Sequence, residues 1–326
     1  MTRSDSSLPV PVRDNIPALQ AHDGRDNRGD MDGDSWLASC VSDCWGPRQV
    51  SDRANEKPLP ELPGEALSRF KEKLNLPDDG TASAVRRDVN RFATVPEDTA
   101  VELMRNHRVL GMGEYHEGGS HFRATGKQVI EGLKAAGATH LAVEMPANLK
   151  PLYDEFEKTG KIPDGMLTGF WNTEDFRNLV TAARDAGMKV VPVDLPRPWE
   201  GQWSKRDPHM AGAIGEILES DPANKVVAWL GAMHLANMEG TARDTYTTAG
   251  TILKDRYPGE VATMNHVRLE ERLLGLTSDL RKPVAVKTEG NAVGALKESV
   301  YIQQPGAMSH DHWDYSVIYP LKNGHR

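Results

Sequence analysis

The sequence predicts an α/β fold: a mostly parallel central sheet with helices on both faces, preceded by a largely disordered N-terminal tail. Two observations carry this. From about residue 96, short apolar runs alternate with stretches of helical spacing, the pattern of a parallel sheet wound by crossover helices. Residues 1–60, by contrast, are rich in Asp, Arg, Gly, Ser, Asn and Pro and show no lasting period. Such a composition buries too little apolar surface to offset the entropy of ordering. Between the two, "PGEALSRFKEKLNL" (63–76) and "TASAVRRDVNRFATV" (81–95) have helix-like spacing, so 61–95 reads as a helical linker or docking segment and 96–326 as the α/β domain.

Within that domain each element has a local reason. "PEDTAVELMRN" reads as a helix and "HRVLGMGE" as a buried strand. "HFRATGKQVIEGLKAA" has apolar residues at helical spacing and stops at Gly137, a residue that tolerates the left-handed conformation closing a helix. "THLAVEMP" is a strand stopped by Pro146, and "LKPLYDEFEKTG" a helix. In "TEDFRNLVTAARDAG", Thr173 suits the N-cap, Glu174 and Asp175 the first turn, and Gly187 the end. "MKVVPVD" is a strand, and "DPHMAGAIGEILES" a helix expected to start with Asp207 as cap and Pro208 at its first position. "KVVAWLGAMH" is a strand and "TARDTYTTAGTILKDRY" a helix ending before Pro258-Gly259. "EVATMNHVRL" and "DYSVIYP" are late strands, with a poorly periodic stretch between them at about 270–310.

Bulk composition excludes several functions. The net charge is -8 and the pI about 5.8, with no basic stripe, so a nucleic-acid partner is not expected. No apolar run approaches the roughly 20 residues of a membrane-spanning helix. The polar start lacks the apolar core of a signal peptide. "LASC", ending at Cys40, is preceded by "GRDNRGDMDGDSW" and is no lipoprotein box. A cytoplasmic location, or export by a route other than the general secretory one, follows. Cys40 and Cys44 are the only cysteines; two free thiols are the first expectation for so sparse a pair, with a disulfide and then a metal or redox site as the alternatives.

The chemistry collects at strand ends. "RVLGMGE" ends in Glu114, with Tyr115 and His116 following and His121 five residues further on. "HLAVE" ends in Glu144, "KVVPVD" in Asp194 and "VVAWLGAMH" in His234. The chain has 47 acidic residues and 11 histidines among 326, roughly one position in six, so four such endings on four strands are not a chance pattern. Right-handed crossovers bring the carboxyl ends of parallel strands to one edge, and open α/β sheets bind ligands there. Arg197 and Arg206 follow the third strand, where an arginine can clamp an anion or pair with an acid. Trp199, Trp203, Phe170 and Trp171 are loop aromatics that could wall a pocket on that edge or simply pack.

Imidazoles and carboxylates together suit a divalent transition metal, with His116, His121, Glu144 and His234 as its ligands. They equally suit metal-free hydrolysis, with His116 or His234 as base, Glu114 orienting it and an arginine on the oxyanion. A serine triad lacks its G-x-S-x-G elbow. A dinucleotide site lacks the third glycine, because "GMGEYH" holds only G-x-G.

Ordered motifs then resemble a known superfamily, the ChaN-like haem-binding uptake, Tiki and erythromycin-esterase group. "GEYHEGGSH" resembles its G-E-x-H with a second histidine, "HLAVEMP" its second-strand glutamate, "KRDPHMAGAI" its R-D-x-x-M-A helix start, and "GAMHLA" its G-x-x-H. "WDYSVIYP" resembles the closing strand of some members, so the likeness covers about 100–320. The resemblance implies an α/β fold with polar residues at one end of the sheet and carries motif roles to Glu114, His116, His121, Glu144, Arg206, Asp207 and His234. It also implies divided functions: cyclic-ester hydrolysis, metal-dependent peptidase activity, or haem binding through a tyrosine, for which Tyr115 sits inside the first motif. The expectation is a hydrolase of an ester or peptide bond acting on a small molecule or peptide. Its catalytic residues are Glu114, His116, Glu144, Arg206 and His234, and its substrate contacts Tyr115, Asp194, Arg197 and Trp199. Haem binding, or service as the catalytic part of a secreted bacterial effector, is the alternative.

Overall fold

A computed structural model describes residues 79–114, 123, 126–199, 201–237, 247–266, 280–295 and 313–318. The tail, Cys40 and Cys44, the expected helix at 63–76, and Tyr115, His116 and His121 lie outside the described residues.

Among the described residues, seven strands form one sheet: β1 Val109–Glu114, β2 His140–Pro146, β3 Lys189–Asp194, β4 Val226–Gly231, β5 Val261–His266, β6 Val284–Lys287 and β7 Tyr315–Ile318. Their order across the sheet is β3-β2-β4-β1-β5-β7-β6. Every neighbouring pair is parallel except β6 and β7. The helices are α1 Asp79–Phe92, α2 Pro96–Asn106, α3 Gly126–Ala135, α4 Lys150–Thr159, α5 Glu174–Asp185, α6 Arg206–Ser220, the one-turn α7 Ala232–Leu235, and α8 Ala249–Arg256.

Both faces are covered, which explains why β1, β4 and β5 are buried along their whole length. On one face Leu110, Met112, Val143, Val227 and Trp229 pack with α2, α3, α4 and α5. On the other, Val109, Ala142, Ala228 and Leu230 pack with α6, α7 and α8. The glycines of β1 serve this packing. A Cβ on Gly113 would meet Trp313 Cη2 at 2.7 Å and the Ala232 Cα at 3.2 Å.

Several expected boundaries hold. The Thr173 hydroxyl accepts from the Phe176 N–H at 3.3 Å, and Gly187 follows α5 at φ 77°. Others move. Helix α6 starts at Arg206, so Asp207 lies in its first turn rather than capping it; its carboxylate is drawn instead to the Ala249 N–H and to His234. Of the helix expected from Thr241, the part before 247 lies outside the described residues; α8 begins at Ala249, where the Thr248 hydroxyl caps it by accepting from Thr251 N–H at 3.2 Å. Strand β4 stops at Gly231 and His234 sits on α7. Strand β6 lies in the stretch that showed no period: it is four residues long, too short to display one. Helix α1 packs Val85 and Val89 against Val286, Val293 and Ile318, and Thr94 bridges to Ala285.

Candidate functional site

The sheet order sets five carboxyl ends side by side: Asp194 on β3, Glu144 on β2, Gly231 leading to His234 on β4, Glu114 on β1 and His266 on β5. The shared edge read from the sequence is therefore present. Side chains alternate along a strand, however, and this divides the acids. Glu114 follows Leu110 and Met112 onto the α3/α5 face, whereas Glu144 follows Ala142 onto the α6/α7 face.

On the α6/α7 face lies a network of buried charge. Arg206 forks onto Asp194, with Nε donating to Oδ1 at 2.9 Å and Nη2 to Oδ2 at 2.7 Å, and Nη2 also donates to Glu144 Oε1 at 2.7 Å. Glu144 Oε2 accepts the backbone N–H of Gly231 at 2.6 Å. His234 bridges the next pair: Nδ1 lies 3.0 Å from both Asp207 oxygens and Nε2 lies 3.3 Å from Glu144 Oε1. Burial alone would push the His234 imidazole down, but the Asp207 and Glu144 carboxylates outweigh it and hold it up at about 10. Burial would likewise lower the Arg206 guanidinium, yet Glu144 and Asp194 raise it further above its ordinary value. Trp199 and Trp203 cover that guanidinium at 4.3 and 5.6 Å.

The α3/α5 face repeats the theme with different residues. Glu114 is paired with Arg123: Nε donates to Oε2 at 2.7 Å and Nη2 donates to Oε1. Trp229 Nε1 donates to Oε2 at 2.5 Å. Trp171 and Phe176 lie against the Arg123 guanidinium at 4.7 and 5.2 Å. Each strand-end glutamate thus holds an arginine boxed by aromatic rings.

Glu144, Asp194, Arg206 and His234 are brought together with Asp207; Glu114 stands on the same edge over the other face. Arg206 pairs with acids, Asp194 and Glu144. Trp199 is buried over Arg206 and ties its indole N–H to Leu195 O at 2.7 Å. Arg197 is exposed, its guanidinium 4.4 Å from the Trp199 ring. Arg123 and Trp229 carried no strand-end signal. A tryptophan inside a buried strand was nevertheless a clue, because its indole N–H needs an acceptor.

Glu144 accepts from a guanidinium and a backbone N–H and lies against an imidazole. Among the described residues, no group of three or more His, Cys, Asp or Glu side chains is arranged to hold a metal ion. The other two expected ligands, His116 and His121, and the tyrosine considered for haem, Tyr115, lie outside them.

No family model matches the chain, and no curated protein matches it. Solved structures do. A succinoglycan biosynthesis protein matches with a TM-score of 0.54 at 11% identity, over 75% of this chain and 98% of that one. A Bacillus cereus protein matches at 0.52 and 10% identity, over the same shares, 75% and 98%. These likenesses show the fold. The superfamily named from the motifs is represented among the matches by ChaN of Campylobacter jejuni, described with cofacial haem (TM-score 0.45, 14% identity, 69% of this chain and 92% of that one). Bacterial toxin structures also match. For one of them the TM-score is 0.42 at 19% identity over 61% of this chain and 42% of the toxin chain, so this chain spans less than half its length.

Proposed function

We propose that the chain is a hydrolase of an ester or amide bond whose working groups are Glu144 and His234. One observation carries this: the imidazole held between two carboxylates, Nδ1 on Asp207 at 3.0 Å and Nε2 near Glu144 at 3.3 Å. Asp207 is itself fixed by the Ala249 N–H at 2.9 Å, so it sets the orientation of the ring. The two carboxylates hold the ring's pKa up at about 10, so in this reading His234 serves as the acid, where the sequence expectation was a base or metal ligand.

The balanced step is as follows. Water oxygen bonds to the acyl carbon as Glu144 takes the water proton. His234 Nε2–H then protonates the leaving oxygen or nitrogen as its bond to carbon breaks. The proton on Glu144 returns to His234 across their contact. Arg206 acts on Glu144, keeping it ionised and in place, and does not itself clamp substrate. The exposed guanidinium of Arg197 supplies a contact for an acidic group on the substrate.

The test is turnover of an ester and peptide panel by the full chain, with metal analysis of protein purified without chelator. Loss of one acid–base group costs about 10²–10⁴ in rate, so Glu144→Gln and His234→Asn are each expected to fall by that much. Unchanged turnover in Glu144→Gln sinks the proposal. Bound metal at one equivalent would return the metal-assisted scheme through His116 and His121. A haem titration that shifts the Soret band, with no hydrolysis, would favour the binding-protein alternative suggested by Tyr115.

A further inference from the structure

Arg197 stands at the rim of the buried acid network without joining it. It follows β3, which ends at Asp194, and Asn148 follows β2, which ends at Pro146. Pro146 and Asp194 are partners in the parallel register of the two strands, so both loops leave the same carboxyl edge. The loops are tied together: Asn148 Oδ1 accepts the Arg197 backbone N–H at 3.2 Å. The chain is fixed again just beyond. The Trp199 indole N–H donates to Leu195 O and the Gln202 N–H donates to Trp199 O, each at 2.7 Å. The Arg197 guanidinium lies over the ring so held, 4.4 Å from its centroid.

This cation has no acid. Arg206 pairs with Asp194 and Glu144, and Arg123 with Glu114. At the surface, Arg184 meets Asp185 and Arg256 meets Glu219. Arg197 is exposed and makes no ion pair among the described residues, in a chain with 47 acidic and 39 basic residues. A guanidinium stacked on a ring uses its flat face, and its N–H edge stays open to a pair of anionic oxygens.

Charge and distance narrow the anion. Arg206 shares the Trp199 ring, 4.3 Å from its centroid, but its own charge is taken up by the two buried acids. One open guanidinium balances one negative charge, which suits a carboxylate better than a phosphate dianion. Arg197 and Glu144 are separated by that ring and by the Arg206 guanidinium, which is 2.7 Å from Glu144. A short acyl chain spans such a gap.

We infer that Arg197 is a specificity-determining residue, and that the acyl part of the substrate carries a free carboxylate a few carbons from the bond cut. The half-ester or half-amide of a short dicarboxylic acid is the substrate class. Asn148 is the positioning residue that holds the Arg197 backbone. The substrate class rests on the hydrolase proposal; the carboxylate subsite does not.

Two measurements on the full chain separate these. In the first, turnover of monoethyl succinate is compared with that of ethyl butyrate, a neutral ester of equal acyl length. The wild type is expected to favour the succinate ester in kcat/KM by about tenfold, between the effects of exposed and of buried charge pairs. The preference should lie mainly in KM and shrink with added salt. It should fall stepwise through Arg197→Lys, Arg197→Gln and Arg197→Glu, an order that follows charge and that a purely structural role would not produce. Asn148→Ala should lose part of it. A wild type without the preference, or one kept in full by Arg197→Gln and Arg197→Glu, overturns the assignment. In the second, nitrogen-15 NMR follows a titration with succinate, which has no bond to cut. The Arg197 Nε–H and Trp199 indole N–H signals are expected to shift saturably, and the Trp199 response should vanish in Arg197→Gln. No saturable shift, or an equal Trp199 shift in Arg197→Gln, overturns the subsite. Inorganic phosphate shifting these signals where succinate does not overturns the carboxylate assignment. If the wild type hydrolyses nothing while succinate shifts both signals, the hydrolase proposal fails and the subsite stands.

Discussion

Replacing Arg206 by methionine tests the electrostatics of the site directly. The guanidinium makes three charge-assisted hydrogen bonds at 2.7 to 2.9 Å to Asp194 and Glu144. Both acids are buried, Asp194 to 0% and Glu144 to 4% exposure. Three such bonds at about 1.5–3 kcal/mol each set a ceiling, since they share one group and do not add. Removing one partner of a buried ion pair costs about 3–5 kcal/mol, because the remaining charge stays desolvated and unpaired. For a domain of this size each kcal/mol lowers Tm by about 2–4 °C, so Arg206→Met is expected to melt roughly 6–20 °C below wild type. Arg206→Lys keeps the charge and loses the fork, and should fall about half as far. The triple variant Arg206→Met, Glu144→Gln, Asp194→Asn removes the stranded charges and should regain part of the loss. Calorimetry or a thermal melt followed by circular dichroism reads all three. An Arg206→Met melt within about 2 °C of wild type would refute the claim that these acids depend on the arginine.

Three further outcomes follow from the same geometry. The folded His234 stands at about 10 against about 6.5 in the unfolded chain. Its stabilisation is therefore complete below about pH 6.5 and is lost as pH rises through 10; denaturant titrations between pH 6 and 10 should show stability falling in the wild type and a flatter profile in His234→Gln. Gly113→Ala forces a methyl to 2.7 Å from the Trp313 ring and should cost about 1–3 kcal/mol by overpacking, read by urea unfolding. Thr173→Ala removes the cap of α5 and should cost about 1 kcal/mol in the same assay.

Much of this architecture was visible in sequence because it depends on local patterns. Apolar runs of strand length, a capping threonine before two acids, and glycines after helices each act over a few residues. The strand-end acids were visible for the same reason. What could not be read was pairing at long range. Arg206 reaches Glu144 from 62 residues away and Trp229 reaches Glu114 from 115, and no local spacing encodes either. Asp207 looked like a helix cap because Asp-Pro is a common helix start; burial beside His234 overrode that preference. The division of Glu114 and Glu144 between faces was legible in principle. Leu110, Met112 and Glu114 share one parity, Ala142 and Glu144 another, and only the registers joining β1, β4 and β2 relate them.

The position of β4 also governs how the site comes into being. Strands β1 and β2 are made first, yet they are not neighbours; β4, made later, lies between them. The Gly231 N–H that holds Glu144 comes from 87 residues downstream. A nascent chain that has emerged only as far as β3 has its acids in water and a sheet without its middle strand. Desolvation of Glu144 and Asp194 thus awaits insertion of β4 and docking of the Arg206 helix start. The buried network forms only with closure of the sheet, so a fragment ending before residue 226 has the acids of this edge without the Gly231 N–H and His234 that hold them.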